Sequence, residues 1–199
     1  MCGRYVFFSS EEYRELRDII EEVARRHKSG YGILAEQEIF PSDLAPVLRR
    51  GADGREAHLM HWGIPMGESS RLIINARAET LFEKPLFARA NRCLVPAAGF
   101  FEWEKTAAGK KKYLIYPADR SVLYMAGVYR RRPLKTGEWA DCYAIVTTAA
   151  DEKMRSIHHR MPVALPPGMA GAWLDKRTSP EELKQALASW EGEWELTAG

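Results

Sequence analysis

Cysteine is scarce in this chain. Its 199 residues hold three, Cys2, Cys93 and Cys142, an odd set without paired or metal-type spacing, which argues against a disulfide-built secreted fold. Long apolar runs are missing too: no stretch approaches the roughly 18 residues of a membrane span, and the N-terminus lacks a basic region followed by an apolar run. Neither sign of charge is in excess. The 29 Lys and Arg against 27 Asp and Glu leave a formal charge of +2, so the overall field is weak and any site for a polyanion has to be a local patch. Repeats, low-complexity segments and linker-like shifts in composition are also lacking. A single domain over residues 1–199 in a soluble cytoplasmic protein is expected.

What the chain does have is core material: 46% hydrophobic residues, with six Trp, eight Tyr and seven Phe. Ser9-Ser10-Glu11-Glu12 reads as a capping box, and Tyr13, Leu16, Ile19, Ile20 and Val23 recur at helical spacing. They predict an amphipathic helix that ends near His27, covers the sheet and holds the N-terminus in place. Beyond a loop at Gly30 to Gly32 come short apolar runs: Ala45 to Leu48, Ala57 to Trp62, Leu72 to Asn75, Cys93 to Trp103, Tyr113 to Tyr116, Val122 to Tyr129 and Cys142 to Thr147. Rich in Val, Ile, Tyr and Trp, and punctuated by Ala52-Asp53-Gly54, Ala108-Gly109 and Lys135-Thr136-Gly137, they predict a mainly antiparallel β core, closed or nearly closed into a barrel. Short helices are expected from Ala78 to Ala90 and from Asp151 to Ile157. Ser179-Pro180-Glu181-Glu182-Leu183 announces a terminal helix with Ser as its cap and Pro in its first turn. The class is α+β.

The chain opens Met1-Cys2-Gly3-Arg4-Tyr5. Removal of the initiator Met makes Cys2 N-terminal and sets an α-amine of pKa about 7.7 to 8.0 two carbons from a thiol of pKa about 8.5. That pair can catch an aldehyde twice, first by the amine as an imine and then by the sulfur, closing a five-membered thiazolidine. A lone free cysteine can equally be a small buried hydrophobe.

Three further segments carry chemistry. In Ile73-Ile74-Asn75-Ala76-Arg77-Ala78-Glu79-Thr80, period-2 geometry aims Asn75 and Arg77 at one face; an Asn can hold an amine without neutralising it, and an Arg can take a phosphate bidentately. An Asn turn cap and an Arg77–Glu79 pair account for the spacing equally well. In Pro96-Ala97-Ala98-Gly99-Phe100-Phe101-Glu102-Trp103, Glu102 is a lone acid among apolar and aromatic neighbours, where desolvation suits it to proton transfer; a strand-edge Glu facing water or paired with Lys105 is the alternative. Ser156-Ile157-His158-His159-Arg160-Met161-Pro162 supplies imidazoles before a Pro that forces an extended turn. Neighbouring His on an extended segment point to opposite faces and no Cys or Asp completes a metal set, which leaves a proton shuttle or a satisfied surface His.

Candidates for nucleic acid are Arg4, Arg77, Arg160, the triplets Lys110 to Lys112 and Arg130 to Arg132, and Trp62, which reads as exposed in His61-Trp62-Gly63-Ile64-Pro65. Each triplet flanks a turn and can also be a solvated hairpin end.

Taken in order, Met1-Cys2-Gly3-Arg4-Tyr5, Asn75-Ala76-Arg77-Ala78-Glu79-Thr80, Arg92-Cys93-Leu94-Val95-Pro96, Gly99-Phe100-Phe101-Glu102-Trp103 and His158-His159-Arg160-Met161-Pro162 closely resemble the SRAP family (SOS response-associated peptidase), from Cys2 to about Trp173. The resemblance implies a protein that links covalently to abasic sites in single-stranded DNA and shields the lesion during replication, with no cofactor. It implies Cys2 as nucleophile, Asn75 as the residue that positions the amine, Glu102 as acid and His158 as the family's His. It further implies Arg4, Arg77 and Arg160 as phosphate contacts, with Pro41 and Trp62 in the DNA-facing groove. Lyase activity is expected to accompany the capture. A monomer is expected, acting on single strands and at their junctions with duplex, near the nucleoid if the source is bacterial. A peptidase that removes only its own Met1, or a non-covalent single-strand binding module, are the competing functions.

This chain departs from the family pattern in three places. Trp62-Gly63-Ile64-Pro65-Met66-Gly67 is one residue shorter than the usual Trp-Gly-Leu-Ile-Pro-x-Trp and lacks its second Trp, the ring that would act as a stacking wedge. Phe101 replaces a frequent Tyr, and Ala98 a frequent Asp.

Overall fold

A computed structural model describes residues 2–7, 13–27, 37–52, 54–67, 71–166, 168–187 and 192–198. In chain order the strands are β1 (Tyr5–Phe7), β2 (Gln37–Ile39), β3 (Leu44–Arg50), β4 (Arg55–Trp62), β5 (Ile64–Pro65), β6 (Leu72–Ile73), β7 (Asn75–Arg77), β8 (Asn91–Ala97), β9 (Gly99–Thr106), β10 (Gly109–Pro117), β11 (Leu123–Pro133), β12 (Trp139–Ala149), β13 (Arg160–Pro162) and β14 (Trp194–Ala198). The helices are α1 (Arg14–Arg26), α2 (Pro85–Ala88), α3 (Glu152–Arg155), α4 (Met169–Leu174) and α5 (Pro180–Ala186).

Five of the strands close a barrel. β11 pairs with β8, β8 with β3, β3 with β4, β4 with β12, and β12 returns to β11. The expected α+β class with a barrel core is what the chain adopts, and most of its ladders are antiparallel. β12, however, runs parallel to both β4 and β7. Short runs alone carry no signal for strand direction. Inside the barrel, Trp62, Tyr143 and Met60 are fully buried.

A second sheet, in the order β14-β10-β9-β1-β2, holds the N-terminal strand between β9 and β2: Tyr5 lies opposite Ile39 on one side and Phe100 on the other. The run from Cys93 to Trp103, expected as one strand, is two. At Ala98 the chain leaves the barrel, the Ala98 N–H donates to the Val6 carbonyl at 2.9 Å, and β9 begins at Gly99. A Cβ at Gly99 would meet the backbone oxygen of Ile115 at 2.6 Å, so only glycine lets β10 approach this closely.

α1 buries Leu16, Ile19, Ile20 and Val23, as their spacing predicts, and packs on β3 and β4. Full burial of side chains of this size stabilises by about 1.5 to 3 kcal/mol each, an upper estimate. Glu22 reaches past the helix to accept from the Ala57 N–H of β4 at 3.0 Å. The Ser9 to Glu12 capping box and the loop at Gly30 to Gly32 lie outside the described residues. At α5 the predicted cap is present: the Ser179 N–H donates to Glu182 at 2.7 Å, and the Glu182 N–H donates back to Ser179 Oγ at 3.3 Å. The stretch from Ala78 to Ala90 forms a 3-10 turn and α2 rather than one helix. Among the described residues, no helix is long and apolar enough to cross a membrane.

Candidate active site

Cys2 stands three positions ahead of β1, and the hydrogen bonds of that strand anchor it: the Phe101 N–H donates to the Arg4 carbonyl at 2.9 Å. The thiol is fully buried and donates to the same carbonyl at 3.8 Å. Loss of hydration pushes the thiol well above its ordinary value, and the Glu102 charge adds to that rise.

Asn75 opens β7, which the parallel ladder with β12 holds in place; Ile145 N–H donates to the Ile74 carbonyl at 3.0 Å. The Asn75 side chain donates through Nδ2 to the Cys2 carbonyl oxygen at 2.9 Å. Its Oδ1 is buried and has no hydrogen-bond partner among the described residues. A buried carbonyl acceptor left so costs about 1 to 3 kcal/mol, the kind of expense that marks functional sites.

Glu102 lies on β9 and is 3% exposed, which removes the water-facing alternative. Its Oε1 is 3.7 Å from His158 Nδ1. That nitrogen also lies 3.0 Å from the Arg160 backbone nitrogen and 3.1 Å from the Arg160 carbonyl oxygen, so the residue two positions on holds the ring in place. His159, whose ring centroid is 4.3 Å from that of His158, is held below the ordinary imidazole range chiefly by the neighbouring charge. Among the described residues, no cluster of three or more His, Cys, Asp and Glu could hold a metal.

The cationic residues divide. Arg77 is exposed and makes no ion pair among the described residues, so the anticipated Arg77–Glu79 pair does not form. Glu79 instead receives both terminal nitrogens of Arg160, which also donates to the Thr147 carbonyl at 2.6 Å. A phosphate at Arg160 therefore has to compete with Glu79. Arg4 donates to Glu38 at 3.0 Å and sits over the rings of Phe40, at 4.1 Å, and Trp103, at 5.2 Å. Lys110 and Lys111 occupy a hairpin end as solvated residues, whereas Lys112 pairs with Glu38 and lies 3.9 Å over Phe101.

Trp62 requires a correction. It is fully buried, stacked on Tyr143 at 6.4 Å, with its indole N–H donating to the Ile74 carbonyl at 3.0 Å. A ring inside the barrel cannot face DNA; the residue supports the Asn75 segment from behind. Pro41 is partly exposed in the turn that follows β2. Sequence reasoning missed Phe40, Glu38 and Thr147. Thr147 is the one of these with a signal, a buried hydroxyl in the apolar run of β12. A cleft of about 560 Å³ adjoins the site, lined in part by Asn75, Arg77, Met66, Lys84, Phe87 and Thr147.

The family model for SOS response associated peptidase (SRAP) matches residues 1–198. The chain belongs to the SRAP family. Among similar SRAP proteins is the abasic site processing protein YoqW of Bacillus subtilis, 33% identical over 210 residues, covering 97% of this chain and 89% of that protein. Another is the abasic site processing protein YedK of Escherichia coli, 29% identical over 194 residues, covering 95% and 86%. A crystal structure of a protein from Bacteroides thetaiotaomicron superposes with a TM-score of 0.81 at 26% identity, covering 99% of this chain and 91% of that one. Asn75 and Cys2, 73 positions apart, are joined by a hydrogen bond, and Glu102 and His158 approach to 3.7 Å.

Proposed function

We propose that this chain processes abasic sites in single-stranded DNA by covalent capture through Cys2 after loss of Met1. The observation that carries the proposal is the 2.9 Å hydrogen bond from Asn75 to the Cys2 carbonyl. It ties the second residue of the chain to β7, where a flexible terminus would otherwise wander.

The ring-opened sugar offers an aldehyde at C1′. The freed α-amine adds to it and water leaves, giving an imine, while Glu102 and His158 relay the protons. Asn75 Oδ1 is the acceptor suited to an amine N–H. Sγ then adds to the imine carbon, the thiol proton passes to the nitrogen, and a thiazolidine closes with one water released overall. A buried, protonated thiol is compatible with this order because the amine attacks first. Holding the groups in reach supplies most of the acceleration.

Before the sulfur closes the ring, the imine can draw electrons from C2′ and expel the 3′ phosphate, which is the lyase reaction; rapid closure suppresses it. Arg77 and Arg4 serve the phosphates, and the chain acts as a monomer in the cytoplasm, on single strands and at junctions with duplex. Incubation of Met1-free protein with abasic single-stranded DNA, without reductant, is expected to yield an adduct that survives heating in detergent. A complex that falls apart on a denaturing gel would leave only non-covalent binding.

A further inference from the structure

We infer that Phe40, backed by the Arg4 guanidinium, is the surface on which an unpaired nucleobase beside the captured sugar stacks. The inference deepens the capture proposal and rests on it for the position of the base. Trp62 is sealed inside the barrel and offers no face to a base. Three large apolar side chains are exposed among the described residues: Phe40 at 41%, Met66 at 42% and Trp139 at 59%. Trp139 sits at the far hairpin opposite Pro133. Only Phe40 is aromatic and tied to the N-terminal strand, through the neighbouring Ile39–Tyr5 pair.

The turn that carries the ring is held firmly. The Phe40 N–H donates to Asp43 Oδ2 at 2.9 Å, the Asp43 N–H donates back to the Phe40 carbonyl at 3.0 Å, and the Ser42 N–H ties the turn to the Trp62 carbonyl at 2.7 Å. Ser42 accepts a left-handed φ of 80° to close it. Arg4 lies 4.1 Å from the Phe40 centroid and is fixed there by Glu38. Two residues of extended chain, about 7 Å at most, separate Arg4 from Cys2. An aromatic face beside a cation is the usual platform for single-stranded bases, with a phosphate able to reach the guanidinium edge. The shared Glu38 carboxylate moderates the charge, so the patch favours stacking over simple ion attraction.

The test uses the full chain and two single strands, one abasic and one intact, each with 2-aminopurine at a defined position. Native protein is expected to change the fluorescence of 2-aminopurine next to the lesion. Phe40→Ala and Phe40→Leu are expected to lose that change and to bind the intact strand about tenfold more weakly, whereas Phe40→Trp retains both. Equal binding and equal fluorescence change across native, Ala and Leu proteins would overturn the inference; retention by Leu alone would do so too, because it shows apolar contact without stacking. If the intact strand shows the expected pattern but native protein forms no adduct, stacking stands and covalent capture is withdrawn. Thermal melts of each variant confirm that the turn remains folded.

Discussion

Asn75 donates through Nδ2 to the Cys2 carbonyl oxygen at 2.9 Å, joining the N-terminus to a strand 73 positions away. The barrel ladder, not the terminus itself, decides where Cys2 lies. Asn75→Ala is expected to slow adduct formation by about tenfold to a hundredfold through lost positioning, and to lower stability by about 1 kcal/mol. Single-turnover rates alongside denaturant melts check both; a native rate in a folded variant would contradict the assigned role.

Glu102 and His158 stand 3.7 Å apart with Glu102 enclosed. Glu102→Gln keeps the shape and removes the proton carrier, and the adduct rate should fall by about 10² to 10⁴ with the fold intact. Intact mass on the same variant separates capture from self-cleavage. Met1 is expected to be absent from native and Glu102→Gln proteins alike, since ordinary aminopeptidase trimming ignores Glu102. Retention of Met1 in the variant alone would make the acid part of a self-processing peptidase.

Cys2→Ala leaves an α-amine on residue 2 but no sulfur. It is expected to lose the heat-stable adduct while keeping strand cleavage at the abasic site, because the imine then has only β-elimination open to it. Quantifying adduct and nicked strand on one denaturing gel reads both products. A heat-stable adduct at native yield would remove the sulfur from the mechanism.

Burial pushes the Cys93 thiol above its ordinary value of 9.0 and does the same to Cys2. A thiol held neutral in the fold but free to ionise when unfolded contributes its full stability below pH 9.0 and loses it as pH rises from there toward the higher folded value. Tyr5 and Tyr143, raised by burial above 10.0, add to the loss at higher pH. Denaturant midpoints should therefore drop steeply above about pH 9. Cys93→Ala should flatten that drop, while lowering the midpoint at neutral pH through lost packing. An unchanged slope would place the alkaline sensitivity elsewhere.

Much of this was legible in the sequence where the cause was local. The face of α1 follows from residue spacing, the α5 cap from Ser179 and Glu182, and the strands from short Val- and Tyr-rich runs. What the sequence hid was non-local. Glu79 meets Arg160 across 81 positions, while its near neighbour Arg77 stays open. The break at Ala98 depends on the β10 backbone pressing on Gly99. Trp62 next to a Gly reads as a surface ring, and only the closure of β4 on β12 reveals that it is interior. Phe40 carries no motif at all; its exposure comes from a turn fixed by Asp43.

The most direct measurement is peptide mass spectrometry of the band that survives denaturation after incubation with abasic single-stranded DNA. Trypsin cuts after Arg4, so the N-terminal tripeptide Cys2-Gly3-Arg4 should carry the sugar remnant, lack Met1, and show neither a free thiol nor a free amine. A remnant mapped to a lysine or to any other residue, or a tripeptide recovered unmodified from that band, would contradict capture by the N-terminal cysteine.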